Sequence, residues 1–399
     1  MRKVGALVLM LLITFPSRGS AASADPSLMP ELDRAPARVP SPARSRERTL
    51  PPEAPPAEEL APSSTASRRR GEDPSPPRRS VLRLRTRAWL TSGSIDTRYC
   101  AQVPPDQVTP AGMEVFEGET EERGAKGIML VHSMELAPLK WLSFEGQFGE
   151  DKAKGRYNDG IWVHAPDTDL LTYFPTGGTW VKPDHVDDVG YGADVSARRD
   201  WAAATVYLRI VDAHIAEVDE LEVRHALDIA LGVERYRQNS RLTNLERTLS
   251  VGKRYPVAPL GAVAGLDSAY LAQWRGPHIG LREEFFAPYG FSFDGTVLWS
   301  PFMEYRGDGY DNLSAGPGGL RSEAPNFIDR AHGTAVHIQV GGGWAWRNIR
   351  LEAGYQRLYF YSRTGMRRYY AFDGSSTDYQ LEFATAELGG AYLGASLRF

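Results

Sequence analysis

Apolar and polar residues alternate with a period of two along much of the chain after residue 80. At the end of the sequence, every second residue from Ala391 to Phe399 is apolar, whereas the residues between them are small or polar apart from Tyr392. This period is that of a β-strand. An apolar face opposite a polar one, repeated over many strands, predicts a transmembrane barrel with lipid outside and a polar lumen. An edge strand of a soluble β-sandwich is the alternative for the last segment.

Residues 80–399 are therefore predicted to form an all-β, antiparallel, up-and-down transmembrane barrel. Ten strands result if 201–222 is a long strand end followed by an excursion, and twelve result if this segment forms an extra hairpin; we favour ten. The clearest alternating segments are 81–90, 128–136, 141–150, 223–236, 270–286, 291–303, 334–346, 349–362 and 387–399.

Charged residues on the polar faces predict a filled lumen. Arg83, Arg85 and Arg87 share one face of the first strand, opposite leucines. Three arginines on an inward face require water or carboxylates, because an unpaired buried charge is costly. Candidate partners on later strands are Glu145, Asp194 and Asp294. A plugged barrel follows, and an open diffusion channel is the least favoured function.

The links between segments alternate in length. Short links are expected at 137–140, 287–290 and 347–348, and long ones at 97–126, 156–188, 238–267, 306–332 and 363–386. Short turns are periplasmic and long loops extracellular in outer-membrane barrels, so both termini are predicted to be periplasmic. Aromatic residues near strand ends predict girdles at the two membrane interfaces; they are Trp89, Trp141, Trp299, Trp344, Trp346, Tyr359 and Tyr361.

The first 79 residues have a different composition. Arg2 and Lys3 precede an apolar run and Ala22-Ser23-Ala24, which predicts a signal peptide over 1–24. Residues 25–79 are rich in proline and arginine and poor in aromatic residues, so they are predicted to be a disordered periplasmic tether.

Composition narrows the range of partners. The net charge of −4 gives no reason to expect nucleic acid, and the single cysteine, Cys100, requires no disulfide. A mean hydropathy of −0.38 is compatible with a barrel, in which alternate residues face water. No cofactor is expected. The predicted partners are outer-membrane lipid and lipopolysaccharide, together with the barrel-assembly machinery through the strand ending at Phe399.

Four stretches in the central part of the chain resemble the omptins, the ten-stranded outer-membrane endopeptidases. They match the family's order from about Gly146 to Gly309, roughly half of the barrel. The stretches are Lys154-Gly155-Arg156-Tyr157-Asn158-Asp159-Gly160-Ile161-Trp162, Gly178-Thr179-Trp180 with His185, Gly232-Val233-Glu234-Arg235-Tyr236, and Pro277-His278-Ile279-Gly280-Leu281.

The resemblance implies a site with two aspartates on one side of the barrel mouth and an Asp-His pair on the other. Asp159 matches one aspartate, but Ile161 stands at the position of the second. Across the mouth, Asp308 and Asp311 are present without a histidine. The omptin site activates a water for attack on the peptide bond, and this needs a base of suitable pKa within hydrogen-bond reach of the water. Because the histidine is missing, the expected function is a non-catalytic scaffold that binds a ligand or surface partner through its long loops. The alternative is an endopeptidase with an altered site at Asp159, Asp308 and Asp311.

The second long link, 156–188, contains two further groups of residues that could form a catalytic or a metal site. His164 and His185 lie in the same link as Asp159, so a rearranged Asp/His site stays open, although solvated loop histidines are the simpler interpretation. Asp184, Asp187 and Asp188 with His185 contain suitable metal ligands, but their spacing fits no metal motif, and no metal site is predicted.

Overall fold

A computed structural model describes residues 81–103, 114–164, 186–218, 221–251, 260–312 and 320–399. The expected signal peptide 1–24 and the proline-rich segment 25–79 lie outside these residues and stay predictions. No helix in the described ranges is long and apolar enough to cross a membrane.

In the described part of the chain, ten long antiparallel strands close into a ring, as predicted, and the twelve-strand alternative is wrong. The ring order is β4-β3-β2-β1-β11-β10-β9-β8-β7-β5, closed by pairing of β4 with β5, while the two-residue β6 pairs with β5 alone. The strands are β1 Leu82–Val103, β2 Glu114–Leu139, β3 Leu142–His164, β4 Val186–Val218, β5 Leu221–Val251, β6 Gly261–Ala262, β7 Ser268–Phe286, β8 Phe291–Tyr310, β9 Phe327–Trp346, β10 Ile349–Tyr370 and β11 Ser376–Arg398.

An apolar belt surrounds the half of the barrel near the short turns. Outward residues there are exposed and apolar, which is typical of barrel strands whose outer face contacts lipid. Members of the belt include Leu84, Leu90, Ile128, Met134, Phe144, Phe148, Leu231, Val233, Ile279, Phe291, Phe293, Val340, Leu351, Leu393 and Leu397. Exposed aromatic residues lie at the short-turn ends of the strands, as predicted for Trp141, Trp344 and Trp346, whereas the exposed Trp299 and Tyr359 lie midway along β8 and β10.

Trp89 was placed wrongly by the girdle prediction. Its side chain is fully buried in the lumen, where its indole N–H donates to the carbonyl of Gly390 at 3.0 Å. The residue alternates with outward Leu90, so its direction follows from the period of two rather than from its aromatic character.

Ion pairs fill the part of the lumen that the belt surrounds, as the arginine-rich inward face of β1 predicts. Arg87 donates to Glu352 at 2.7 Å, and Arg85 lies 3.4 Å from the same carboxylate and 3.8 Å from Glu145. Further pairs are Arg83–Glu135 at 3.2 Å, Arg282–Asp228 at 2.7 Å and Arg350–Asp294 at 2.5 Å. Glu145 and Asp294 therefore face inward, as expected.

The strands continue well past the belt, so the long links are shorter than predicted. β1 runs to Val103 and β10 to Tyr370, whereas about 9–11 residues suffice to cross a bilayer. Outward residues of these extensions are mostly polar, and many inward ones are apolar, in contrast to the belt. Asp194, expected in the lumen, instead faces outward and pairs with Arg156 at 2.7 Å, while Ala193 and Val195 are buried inside. The inward residues of the extensions pack against one another inside the barrel, and burial of apolar side chains stabilises this packing.

Candidate functional site

The strand extensions enclose the mouth of the barrel at the end with the long links. Asp159 lies on the inward face of β3, in line with Asp151, Ala153 and Tyr157. It is partly exposed, and its Oδ1 atom has no hydrogen-bond partner among the described residues. The position agrees with the expectation that this carboxyl faces the mouth.

Burial raises the pKa of Asp159 to about 7. Arg367 opposes this rise, Asp311 adds to it, and hydrogen bonds with Tyr157 and the Gly160 amide also oppose it. A carboxyl in this state is neutral in about half of the molecules near pH 7. It can therefore give up a proton when a cation approaches.

A second inward carboxyl lies on the neighbouring strand. Glu122 of β2 is 4% exposed and accepts hydrogen bonds from Gln238 at 2.6 Å and Ser240 at 2.8 Å. Burial raises its pKa to about 7, against the effect of these two hydrogen bonds. Among the described residues, neither Glu122 nor Asp159 is in an ion pair.

A buried arginine and a carboxylate hold the opposite side of the mouth. Arg367 of β10 donates to both oxygens of Asp329 on β9, at 2.6 and 2.7 Å. Its guanidinium lies 4.0 Å from the ring centroid of Tyr99 and 4.8 Å from that of Phe327. Tyr270 donates to Asp329 at 2.7 Å, so the carboxylate has several partners and both charges are compensated.

Tyrosines line the rest of this end of the lumen. Tyr99 packs edge-on against Tyr369 and Tyr379, with ring centroids 6.3 and 6.4 Å apart. Tyr157 and Tyr270 complete the set near Asp159 and Arg367. Burial raises the pKa values of Tyr99, Tyr157 and Tyr270 well above the usual value, so these phenols stay protonated and act as hydrogen-bonding and aromatic surfaces.

The two aspartates predicted across the mouth have different surroundings. β3 and β8 are separated by four strand steps in one direction and six in the other, which places them on nearly opposite sides of the ring. Asp311, just after β8, accepts a hydrogen bond at 3.4 Å from the hydroxyl of Ser268. Its negative charge helps to raise the pKa of Asp159. Asp308 instead alternates with the buried, inward-facing Gly307 and Gly309, and accepts from Arg306 at 3.0 Å on the outer wall. The structure thus brings Asp311, but not Asp308, toward Asp159.

The outer wall above the apolar belt carries a basic groove of about 650 Å³. It forms where β7, β8, β9 and β10 have irregular registers, which bend the strands. Its lining includes Arg237, Arg275, Glu304, Arg306, Asp308, Arg330, His332 and Met366. Arg275 pairs with Glu304, and Arg306 with Asp308, whereas Arg237 and Arg330 have no ion pair among the described residues.

The remaining predicted residues fall where side chains are not described. His164 ends β3, but its side chain, like those of Asp187 and Asp188, is outside the described set, and so are Asp184 and His185 altogether. In the described part of the chain no cluster of three metal-ligating side chains occurs. Sequence reasoning missed Glu122, Asp329 and Arg367, all of which lie in segments interpreted as loops. The usable signal was the alternation of Glu121, Arg123 and Lys126 with inward residues above the belt.

The fold was compared with known proteins. No family model and no curated protein matches the chain. The crystal structure of outer membrane protease OmpT from Escherichia coli matches with a TM-score of 0.57 and 11% identity, over 80% of this chain and 96% of that one. A FadL homologue of Pseudomonas aeruginosa matches with a TM-score of 0.23 and 9% identity over 80% and 90% of the two chains. A monoaromatic hydrocarbon channel, CymD, gives a TM-score of 0.26 and 10% identity over 81% and 89%.

The ring of ten strands, the apolar belt and the extended mouth define an omptin-like outer-membrane β-barrel fold. The two other barrels score too low to support any argument about this chain. At 11% identity the likeness to OmpT concerns the fold alone, so function has to be argued from the site.

Proposed function

We propose that this protein is a non-catalytic outer-membrane barrel that binds a cationic ligand at its long-link mouth, with that mouth outside the cell and both termini in the periplasm. The observation that carries the proposal is the pair of inward carboxyls, Asp159 and Glu122, which are in no ion pair among the described residues. Ionised buried carboxylates are unfavourable unless a positive charge compensates them. A cationic ligand supplies that charge.

The tyrosines of the mouth support the same ligand class. Cations are attracted to the faces of aromatic rings, and tyrosine is among the better partners. The barrel already binds one guanidinium in this way, since Arg367 lies over Tyr99 at 4.0 Å while Asp329 accepts from its nitrogens. An arginine or lysine side chain of a peptide has the matching chemistry.

The test is binding of an arginine-rich peptide to the refolded protein in detergent with lipopolysaccharide, measured by fluorescence anisotropy. Asp159→Asn is expected to weaken binding about tenfold, which corresponds to about 1.4 kcal/mol. Asp308→Asn is the matched control, because its carboxylate pairs with Arg306 on the outer wall and binding should not change. Equal weakening by both variants, or equal binding of a glutamate-rich peptide, would contradict the proposal.

One observation favours the endopeptidase alternative. A carboxyl whose pKa is about 7 and which interacts with a second carboxyl can act as a general base near neutral pH. In that case the wild type cleaves basic peptides, Asp159→Ala and Asp311→Ala abolish cleavage, and Asp308→Ala retains it. Peptide products detected by mass spectrometry after prolonged incubation would replace the non-catalytic proposal by this one.

We further propose that the basic groove of the outer wall contacts phosphate groups of the outer-leaflet lipid or lipopolysaccharide. Arg237 and Arg330 face the groove just above the apolar belt, where lipid head groups lie. The double variant Arg237→Gln/Arg330→Gln should bind less lipopolysaccharide in co-purification, whereas Arg123→Gln should not, since Arg123 belongs to β2 and pairs with Glu121. Unchanged co-purification in the double variant would count against this contact.

Assembly through the C-terminal strand stays a prediction. Its support is that β11 pairs with β1 to close the ring and that the N–H of Phe399 donates to the carbonyl of Leu82 at 2.9 Å.

A further inference from the structure

A layer of uncharged and acidic polar side chains crosses the lumen between the ion pairs and the mouth. It consists of Gln147 on β3, Glu234 on β5, His278 on β7, His337 on β9 and Gln356 on β10, and is called the polar layer below. Four of these five side chains are nearly inaccessible: Glu234 is 4% exposed, His278 and His337 3% each, and Gln356 0%.

The polar layer has clear boundaries along the strands. On β5 it lies between Asp228, in the ion-pair network, and Tyr236. On β10 it lies between Glu352, which pairs with Arg87, and Phe360, which stacks on Tyr236 with ring centroids 5.1 Å apart. The layer is therefore covered by charged pairs on the short-turn side and by aromatic rings on the mouth side.

Most polar atoms of this layer have no hydrogen-bond partner among the residues that the structure describes. Both ring nitrogens of His337 and both amide atoms of Gln356 lack hydrogen bonds, and so does Oε1 of Gln147. Glu234 accepts from Ser300 at 2.6 Å through one oxygen, and His278 lies 3.1 Å from Thr205 through Nε2, while their other polar atoms are unpartnered. Such groups are rare in folded interiors, because leaving them without hydrogen bonds is costly.

The unpartnered atoms include both donors and acceptors. Gln356 Nε2 and one ring nitrogen of neutral His337 donate, whereas Gln147 Oε1, Glu234 Oε2, Gln356 Oε1 and the other ring nitrogen of His337 accept. A cation would satisfy only the acceptors and an anion only the donors. Water satisfies both.

A small cavity of about 20 Å³ adjoins the layer and is lined by Gln147, Trp201, Thr205 and His337, with Arg85 and Asp294 below. This volume accommodates one water molecule, which needs roughly 10–15 Å³ by the same measure. We propose that the polar layer is a solvent site that binds ordered water inside the barrel, with one molecule bridging Gln147 and His337. The centre of the filled lumen thus contains water, with ion pairs on its short-turn side and aromatic rings on its mouth side.

Diffraction from wild-type crystals tests the site directly. The expected result is an ordered water within about 2.7–3.2 Å of a ring nitrogen of His337 and of Oε1 of Gln147. Direct hydrogen bonds among the side chains of the polar layer, or apolar side chains packed into the cavity, would overturn the proposal.

Substitution of Gln356 separates a hydrated layer from a dry one in solution. If waters bind to Gln356, Gln356→Leu removes an anchor and lowers the urea midpoint of unfolding in lipid vesicles. If the layer is dry, the same variant removes two unsatisfied polar atoms and raises the midpoint. Leu358→Met, two residues along the same strand and equally buried, is the control for general repacking. If Gln356→Leu fails to insert, the wild-type diffraction result decides.

Discussion

At the scale of single residues, the arginines of the barrel wall form two kinds of ion pair, buried pairs inside the lumen and exposed pairs on the outer surface. Arg367 is 3% exposed and donates two hydrogen bonds to Asp329, which is fully buried. Its sequence neighbour Arg368 points outward, with its side chain 39% exposed, and pairs at 2.6 Å with Asp378, whose side chain is 46% exposed. Breaking a buried pair leaves an uncompensated charge, whereas an exposed pair contributes little.

This contrast gives a prediction for two adjacent residues. Arg367→Gln should lower the free energy of unfolding by about 3–5 kcal/mol, because Asp329 loses its cation. Arg368→Gln should lower it by only about 0–1 kcal/mol. The measurement is urea unfolding in lipid vesicles, followed by tryptophan fluorescence. Similar effects of the two substitutions would show that the guanidinium of Arg367 is solvated.

A second prediction at this scale concerns pH and Asp159. The folded pKa, about 7, lies above the usual value of 3.8, so folding favours the protonated carboxyl. Its contribution to stability is full below pH about 4 and is lost as the pH rises through 7. A cationic ligand binds the ionised form, so affinity should increase across the same interval. Asp159→Asn should reduce this increase to the part that Glu122, whose pKa is also raised to about 7, contributes. A pH profile of peptide affinity that is identical in both proteins would refute the assignment.

At the scale of the strands, the sequence predicts the half of the barrel near the short turns far better than the mouth. In the belt, apolar outward residues such as Leu84 and Leu90 alternate with charged inward residues. This alternation predicts the strands, the direction in which each side chain points, and the polar lumen. Above the belt, water lies outside, so inward Ala193 and Val195 are apolar and outward Asp194 is charged. The inverted pattern resembles a polar loop, and the mouth residues Glu122, Asp329 and Arg367 were missed for this reason.

The inversion predicts where a charge is tolerated on the outer wall. Met134 faces outward in the middle of the belt segment of β2, whereas Ser92 faces outward on β1 just beyond Leu90. Met134→Arg should destabilise the folded barrel by about 2–4 kcal/mol, because its side chain enters hydrocarbon. Ser92→Arg should change stability by less than about 0.5 kcal/mol. Equilibrium refolding into vesicles measures both, and equal effects would place the belt boundary elsewhere.

At the scale of the whole molecule, three layers fill the lumen from one end to the other. Ion pairs such as Arg350–Asp294 lie in the part of the lumen that the belt surrounds, and the polar layer follows. Aromatic rings including Trp274 and Tyr305, 4.6 Å apart, lie toward the mouth. Fold and plug could be predicted from the sequence, since three inward arginines demand carboxylates. The ring closure and the pairing partners could not, because antiparallel register depends on contacts between segments distant in the chain.

The filled lumen predicts that the protein conducts no ions. Ten strands form a narrow barrel, and inward side chains of that size occupy its interior, whereas aqueous channels are found in barrels of about 16–18 strands. Reconstitution in planar bilayers should therefore give no single-channel steps under conditions in which a 16-stranded porin conducts. The Arg87→Ala/Glu352→Ala variant removes the Arg87–Glu352 pair and leaves Arg85 with Glu145 as its carboxylate partner. It should also stay closed, because the aromatic layer remains above it. Stable steps in the wild type would mean that the plug moves aside, and the mouth would then be the entrance of a transport path rather than a closed binding site.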